Sequence, residues 1–278
     1  MAHILILLRV NALRHCAFGQ KRDQKPEKDH CMMIDRFSSQ MQAMQMLSKA
    51  QELTADNLAN INTPGFKGST LFYRLVDENL NGEVTKKTVP FQQVNLAQGI
   101  LEMTGNTFDL AVSGDGFFVV EEGGREFLTR DGRFQIDPDG YLVNSRGAMV
   151  QGNAGPVHLP AQVRSGDGNS GEIQIDIAKD GSIRINGQIR DQIQLVSVSD
   201  PSTLQRNGNS YFTVKYAAAL NEDAKGEIMQ GYYEKGNVDA LHELTSMMKT
   251  MQMFESQQRA MNAADEVLSQ GINNLGRY

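Results

Sequence analysis

The stretch that most limits what this chain can fold into is its last one, residues 237–278. Val238, Leu241, Leu244, Met248, Met251, Phe254, Met261, Ala264, Leu268, Ile272 and Leu275 recur mostly at steps of three and four. Glu243, Lys249, Glu255, Gln257, Arg259 and Asn262 fill the other faces. That spacing predicts one long amphipathic helix with a single apolar stripe. Asn237 or Asp239 is suited to cap its start, and Gly271 and Gly276 weaken its end. One helix cannot bury its own stripe, so the rest of the chain is read for what covers it.

A second stripe runs near the other end. Ile34, Phe37, Met41, Met44, Leu47, Ala50, Leu53, Leu58 and Ile61 predict a helix over 34–61. Thr63-Pro64-Gly65 ends it, because proline cannot continue a helix and disfavours helix in the residue before it. Methionine crowds both stripes, and its flexible side chain fills imperfect interfaces. Pairing two such helices leaves their outer flanks exposed. Packing against other copies of the chain is therefore expected.

The middle has another character. Residues 68–91 show no firm period and read as an extended connector with a turn at Asn81-Gly82. Over 92–216, short apolar or β-branched runs alternate with Gly, Asp and Asn. Phe117-Phe-Val-Val120, Phe127-Leu-Thr129, Phe134-Gln-Ile136, Tyr141-Leu-Val143, Ile173–Ile177, Ile183–Ile185, Ile193–Val198 and Tyr211–Val214 are the strands expected. They predict an antiparallel all-β domain, followed by a connector over 217–236. The fold class expected is α+β, with an amphipathic helix at each end of a β middle.

Several functions are excluded or left without support. Lys and Arg number 27 against 33 Asp and Glu, a net charge of −6 with no long basic block, which argues against a nucleic-acid partner. No apolar run is long enough for a membrane-spanning helix. Residues 1–32 read apart from the rest: His3–Leu8 is apolar, and Arg14–His30 is charged without periodicity. They are expected to be an artefact of start-site choice, with translation beginning at Met32 or Met33. Cys16 and Cys31 both lie there, at a spacing that fits no standard zinc pattern. Gly114-Asp-Gly116 lacks the third glycine of a phosphate-cradling fingerprint, and a strand follows it rather than a helix. Asp137-Pro-Asp-Gly140 lacks the later ligands of a calcium loop. Both read as turns. His158 and His242 have no recognisable triad partners. No catalytic, cofactor-binding or metal-binding residue is expected, and no cofactor.

Three separated motifs carry a family likeness. The segment Asn57-Leu-Ala-Asn-Ile-Asn-Thr-Pro-Gly-Phe-Lys67 resembles the signature of bacterial flagellar axial proteins, the rod and hook subunits. Asp109–Val119, Thr129-Arg-Asp-Gly-Arg-Phe134 and Gly140-Tyr-Leu-Val143 resemble that family's β domain. Gln230-Gly-Tyr-Tyr-Glu234, Asn237-Val-Asp239 and Phe254-Glu255 resemble its C-terminal part. The likeness covers residues 33–278. It implies a domain order of 33–67, N-terminal rod helix and motif; 68–91, connector; 92–216, outward β domain; 217–236, connector; and 237–278, C-terminal helix.

It further implies that the two terminal helices form a coiled-coil core. Phe37, Met41, Met44, Leu47 and Leu58 would hold neighbouring subunits from one helix, and Leu241, Leu244, Met248, Met251, Leu268, Ile272 and Leu275 from the other. Asn57, Asn60, Asn62, Thr63, Pro64, Gly65 and Phe66 would set where the chain leaves the core. The partners implied are other copies, other rod and hook proteins and the flagellar export apparatus. The location implied is the basal body, reached without a cleaved signal peptide. The short connector favours the proximal-rod branch over the distal-rod branch or the hook. A cell-wall-binding or hydrolytic β-domain protein is the rival from another class.

Overall fold

The computed structural model describes residues 26–80, 83–159, 175–208, 210–215, 220–221 and 224–275; within these, the side chains of 26–38, 78–80, 83–87, 268 and 271–275 are not described. Most of the expected N-terminal extension, Cys16 included, lies outside the described residues. The chain divides into two units, residues 46–258 and the outer ends of both terminal helices.

Alternation at Phe117-Phe-Val-Val120 builds the centre of the larger unit. Successive strand residues point to opposite faces. In strand β5 (Phe117–Glu122) both faces are covered: Phe118 and Val120 enter one apolar core with Leu110, Val150 and Ile183, while Phe117 and Val119 enter another with Leu128, Val196 and Phe212. An unbroken apolar run is what a strand buried on both sides requires.

The strands before β5 are β1 (Ser69–Leu80), β2 (Glu83–Val94), β3 (Leu101–Met103) and β4 (Leu110–Ser113). Those after it include β6 (Arg125–Thr129), β7 (Phe134–Ile136), β8 (Leu142–Asn144), β9 (Met149–Gly152) and β10 (Gly155–Pro156). Then come β11 (Ile175–Ile177), β12 (Ser182–Ile185), β13 (Gln188–Gln192) and β14 (Leu195–Val198). The last are β15 (Leu204–Arg206), β16 (Tyr211–Val214), β17 (Leu220–Asn221), β18 (Glu227–Gln230) and β19 (Tyr232–Glu234). Among the described residues every pairing is antiparallel, and the largest sheet runs β15-β16-β6-β5-β9-β8-β7. The antiparallel β domain fits the sequence expectation.

Two segments read as connectors are paired. β1 and β2 form a two-stranded ribbon in continuous register from Ser69↔Val94 to Leu80↔Glu83. Its cross-strand Phe72–Phe91 pair stacks at 5.7 Å, yet Phe72, Tyr73, Leu75, Val76 and Val89 stay exposed, so no single buried face imprints a period on the sequence. Within 217–236, β18 pairs with β4 and β19 with β3, so the chain returns to the first strands of the domain just before its last helix.

Both helices form, over Pro26–Ala59 and Ala240–Leu275. The expected coiled-coil core of terminal helices is not what they make. The C-terminal knobs whose side chains are described stand in solvent: Leu241 is 71 % exposed and Met248 56 %, with Leu244 and Met251 also exposed. On the same stretch Thr250 is buried, and Glu243, Thr245, Ser246, Met247, Phe254 and Gln257 are half-buried. At the helix root the Asn57 side-chain amide donates to Glu243 Oε1 at 2.9 Å, a polar contact that holds the Glu243 side toward the N-terminal helix.

Candidate functional site: the junction of the terminal helices

The three motifs of the sequence meet at one place. The N-terminal helix stops at Ala59, where Thr63 N bonds Asn60 O at 2.9 Å and the Thr63 hydroxyl bonds Asn60 Oδ1 at 3.2 Å. Pro64, Gly65, Phe66 and Lys67 are then buried, while Asn62 is exposed. Gly65 adopts φ +65°, and a Cβ there would stand 2.2 Å from Asp131 N, so a side chain is refused by both backbone and space. That close approach seats the Thr63-Pro64-Gly65 turn on the Arg130-Asp131 backbone of the β domain.

Two asparagines stitch the helix roots. The Asn57 amide donates to Ser69 O at 3.0 Å and its Oδ1 accepts from Ser69 N at 3.0 Å, besides the bond to Glu243. Asn237 Oδ1 accepts from Gly68 N at 2.7 Å, and its amide donates to Asn95 O and Ala97 O, both at 2.8 Å. The helix cap falls to Asp239, whose Oδ1 accepts from Leu241 N at 2.9 Å. Asn237, the other capping choice, is committed to the junction.

Beneath them lies a buried ion triad. Glu234 Oε1 accepts from Lys67 Nζ at 2.7 Å and from Gly99 N at 2.6 Å, and Oε2 accepts from Arg130 Nη1 at 3.2 Å. Lys67 Nζ also donates to Ala97 O at 2.8 Å, and Arg130 Nη2 to Gly114 O at 2.8 Å. The side chains are only 1–4 % exposed. Burial pulls Lys67 and Arg130 below their ordinary proton affinities, with Glu234 opposing the shift in both. Burial also pushes Asp131 above the usual carboxylate value, against the hydrogen bond it accepts from Arg133 N. Arg206 completes the roof: it bonds Lys67 O and Ser69 Oγ and lies 4.4 Å over the Phe66 ring.

The arrangement joins three distant segments of the chain. Asp137 Oδ1 accepts from Asp139 N and Tyr141 N, which makes Asp137–Gly140 a turn. His158 is exposed and bonds Asp139 O at 3.1 Å; His242 is exposed on the C-terminal helix. Of the stripe residues, Met41 is exposed and Met44, Leu47 and Leu58 are half-buried; the side chains of Phe37, Leu268, Ile272 and Leu275 lie outside the described ones. Sequence reasoning missed Lys67, Arg130, Arg206 and Glu234 as a group. The available signal was a charged residue inside each of three motifs otherwise rich in Gly, Asn and apolar residues.

Comparison with known proteins decides the family. Residues 37–67 match the family described as Flagella basal body rod protein, 111–189 the Flagellar hook protein FlgE/F/G D1 domain, and 229–275 the Flagellar basal body rod FlgEFG protein C-terminal. The chain is 32 % identical to the flagellar basal-body rod protein FlgF of Caulobacter vibrioides, over 83 % of this chain and 94 % of that protein. The chain belongs to the flagellar basal-body rod protein family. It is a structural rod subunit. It is also similar to FlgF of Mesorhizobium japonicum, at 28 % identity over 88 % of this chain and 99 % of that one. FlgG of Bacillus subtilis is 26 % identical over 87 % of this chain and 99 % of its own length. The outer two matches contribute opposite sides of the junction: Lys67 closes the first, and Glu234 lies near the start of the last.

Proposed function

We propose that this rod-family chain is a FlgF-like subunit of the proximal rod. It transmits torque passively and binds neighbouring subunits through its terminal helices. The observation that carries the reading is the row Leu241, Leu244, Met248 and Met251, exposed along one side of the C-terminal helix. A row of large apolar side chains left in water favours burial against a partner. Head-to-tail burial of one copy's row on a different surface of the next would give an open, helical assembly. On the N-terminal helix Leu47 and Leu58, which lie in the same unit as that row, would add to the interface. The junction docks the two helix roots on the β domain, through Asn57, Asn60 and Gly65.

The partners in this reading are other copies and other rod and hook proteins, and the location is the basal body, reached through the flagellar export apparatus without a cleaved signal peptide. The role is structural and not enzymatic. Imaging purified basal bodies with this subunit labelled tests the reading. Label on the proximal rod is expected; label confined to the distal rod would assign the chain to the FlgG branch, and an unlabelled rod would end the proposal. Incubating the full chain with cell-wall polymer should release no soluble fragments.

A further inference from the structure

The junction buries two cations against one carboxylate. Lys67 and Arg130 each bond Glu234, from 167 and 104 residues away in sequence. Among the described residues no other carboxylate bonds either cation. Arg130 Nε is buried without a hydrogen-bond partner, so this charge already sits in an environment that satisfies it only in part. Glu234 also gathers backbone: its carbonyl accepts from Gly65 N at 2.7 Å, and its carboxylate from Gly99 N. At Gly99 a Cβ would stand 2.0 Å from Lys235 O, so the chain passes Glu234 with no room for a side chain.

We infer that Glu234 is an ordering latch: its carboxylate is the counter-ion that lets both helix roots dock on the β domain, so the N-terminal root is fixed only once the C-terminal strand is in place. Without that carboxylate, Lys67 and Arg130 become buried like charges with no bonded counter-charge, Asp115 acting on Arg130 only through space, and the segments able to leave for water must do so. Strand β6, which ends one residue before Arg130, is held by its register with β5 and β16. Residues 65–69 and 235–238 have no such ladder on both sides; polar bonds and the buried Phe66 ring hold them, and they are the ones that let go. Removing Lys67 has a different consequence, because Arg130 and Glu234 remain a balanced pair. Neither root is then driven into water, and Ala97 O keeps its bond from the Asn237 amide. The latch is a property of the single chain and does not depend on what the helices bind, so its failure would leave the rod reading untouched.

Hydrogen exchange on the full chain tests this. In Glu234→Gln the amides of Gly65, Gly68, Ser69, Lys235 and Asn237 should exchange at least about 100-fold faster, while those of β5 and β6 stay within about threefold. In Lys67→Met, where Arg130 and Glu234 stay balanced, the amides of both roots should stay within about threefold of wild type. Unchanged exchange at both roots in Glu234→Gln, acceleration spread evenly into β5 and β6, or loosening of either root in Lys67→Met as large as in Glu234→Gln would each overturn the latch. Should Glu234→Gln fail to fold, the triple variant Lys67→Met, Arg130→Met, Glu234→Met decides. Wild-type protection at both roots is the expected result, and loss of protection there would overturn the inference.

Discussion

In strand β5 four consecutive apolar side chains are buried in two cores, whereas at the helix junction the buried side chains include Asn57, Asn60, Lys67, Arg130 and Glu234. The two regions are buried to similar depth by different physics. The β cores draw on the non-directional burial of apolar surface, and similar shapes can replace one another there. The junction draws on directed bonds among groups that are costly to bury unless every partner is present. A region of the first kind tolerates change and sets overall stability. One of the second kind adds less net stability but fixes a single geometry, here the docking of two helix roots on a β domain.

The largest effect should come from the core. Phe118 is fully buried and meets Phe134 edge-to-face at 5.2 Å, so Phe118→Ala should cost about 3–5 kcal/mol. Urea unfolding should show a single lowered midpoint, with exchange rising in all strands. Asn57→Ala should cost about 1–3 kcal/mol, because Ser69 N and Ser69 O both lose their buried partner. Its signature should be local, with Ser69 and the root of the C-terminal helix loosening before the β domain does. An equal effect on both regions would erase the distinction between them.

The pH dependence sharpens it further. Asp131 has a folded-state affinity for protons above its ordinary value, so its contribution is fully present below the usual carboxylate value and is lost as pH rises through the raised one. Acidifying from neutral pH should therefore stabilise the wild type relative to Asp131→Asn, measured as the difference in urea midpoint. A constant difference would show that Asp131 does not titrate in this way. The smallest effect on the isolated chain is expected at Leu244. It is exposed, so Leu244→Ser should change monomer stability by no more than about 0.5 kcal/mol.

The same contrast explains what could be read from the sequence. The run Phe117–Val120 announces a strand because apolar burial leaves a periodic trace. The Asn57–Lys67 motif announces a family, and its glycine and proline imply a turn. The triad leaves no such trace, since nothing in the local pattern says that Lys67 answers to Glu234 far along the chain. The ribbon of β1 and β2 was read as an unpaired connector because apolar residues lie on both of its exposed faces. The strands near the chain's return, β18 and β19, were hidden by their polar, tyrosine-rich composition. The coiled-coil core failed for a related reason: helical periodicity gives the width of a stripe but not its facing direction.

The central claim is that the exposed row on the C-terminal helix, not the β domain, holds this subunit in the rod. The direct measurement is incorporation of the double variant Leu244→Glu, Met248→Glu into basal bodies, alongside its melting temperature as an isolated chain. The account predicts an unchanged melting temperature and basal bodies that lack the subunit. Incorporation at the wild-type level by a folded variant would contradict it.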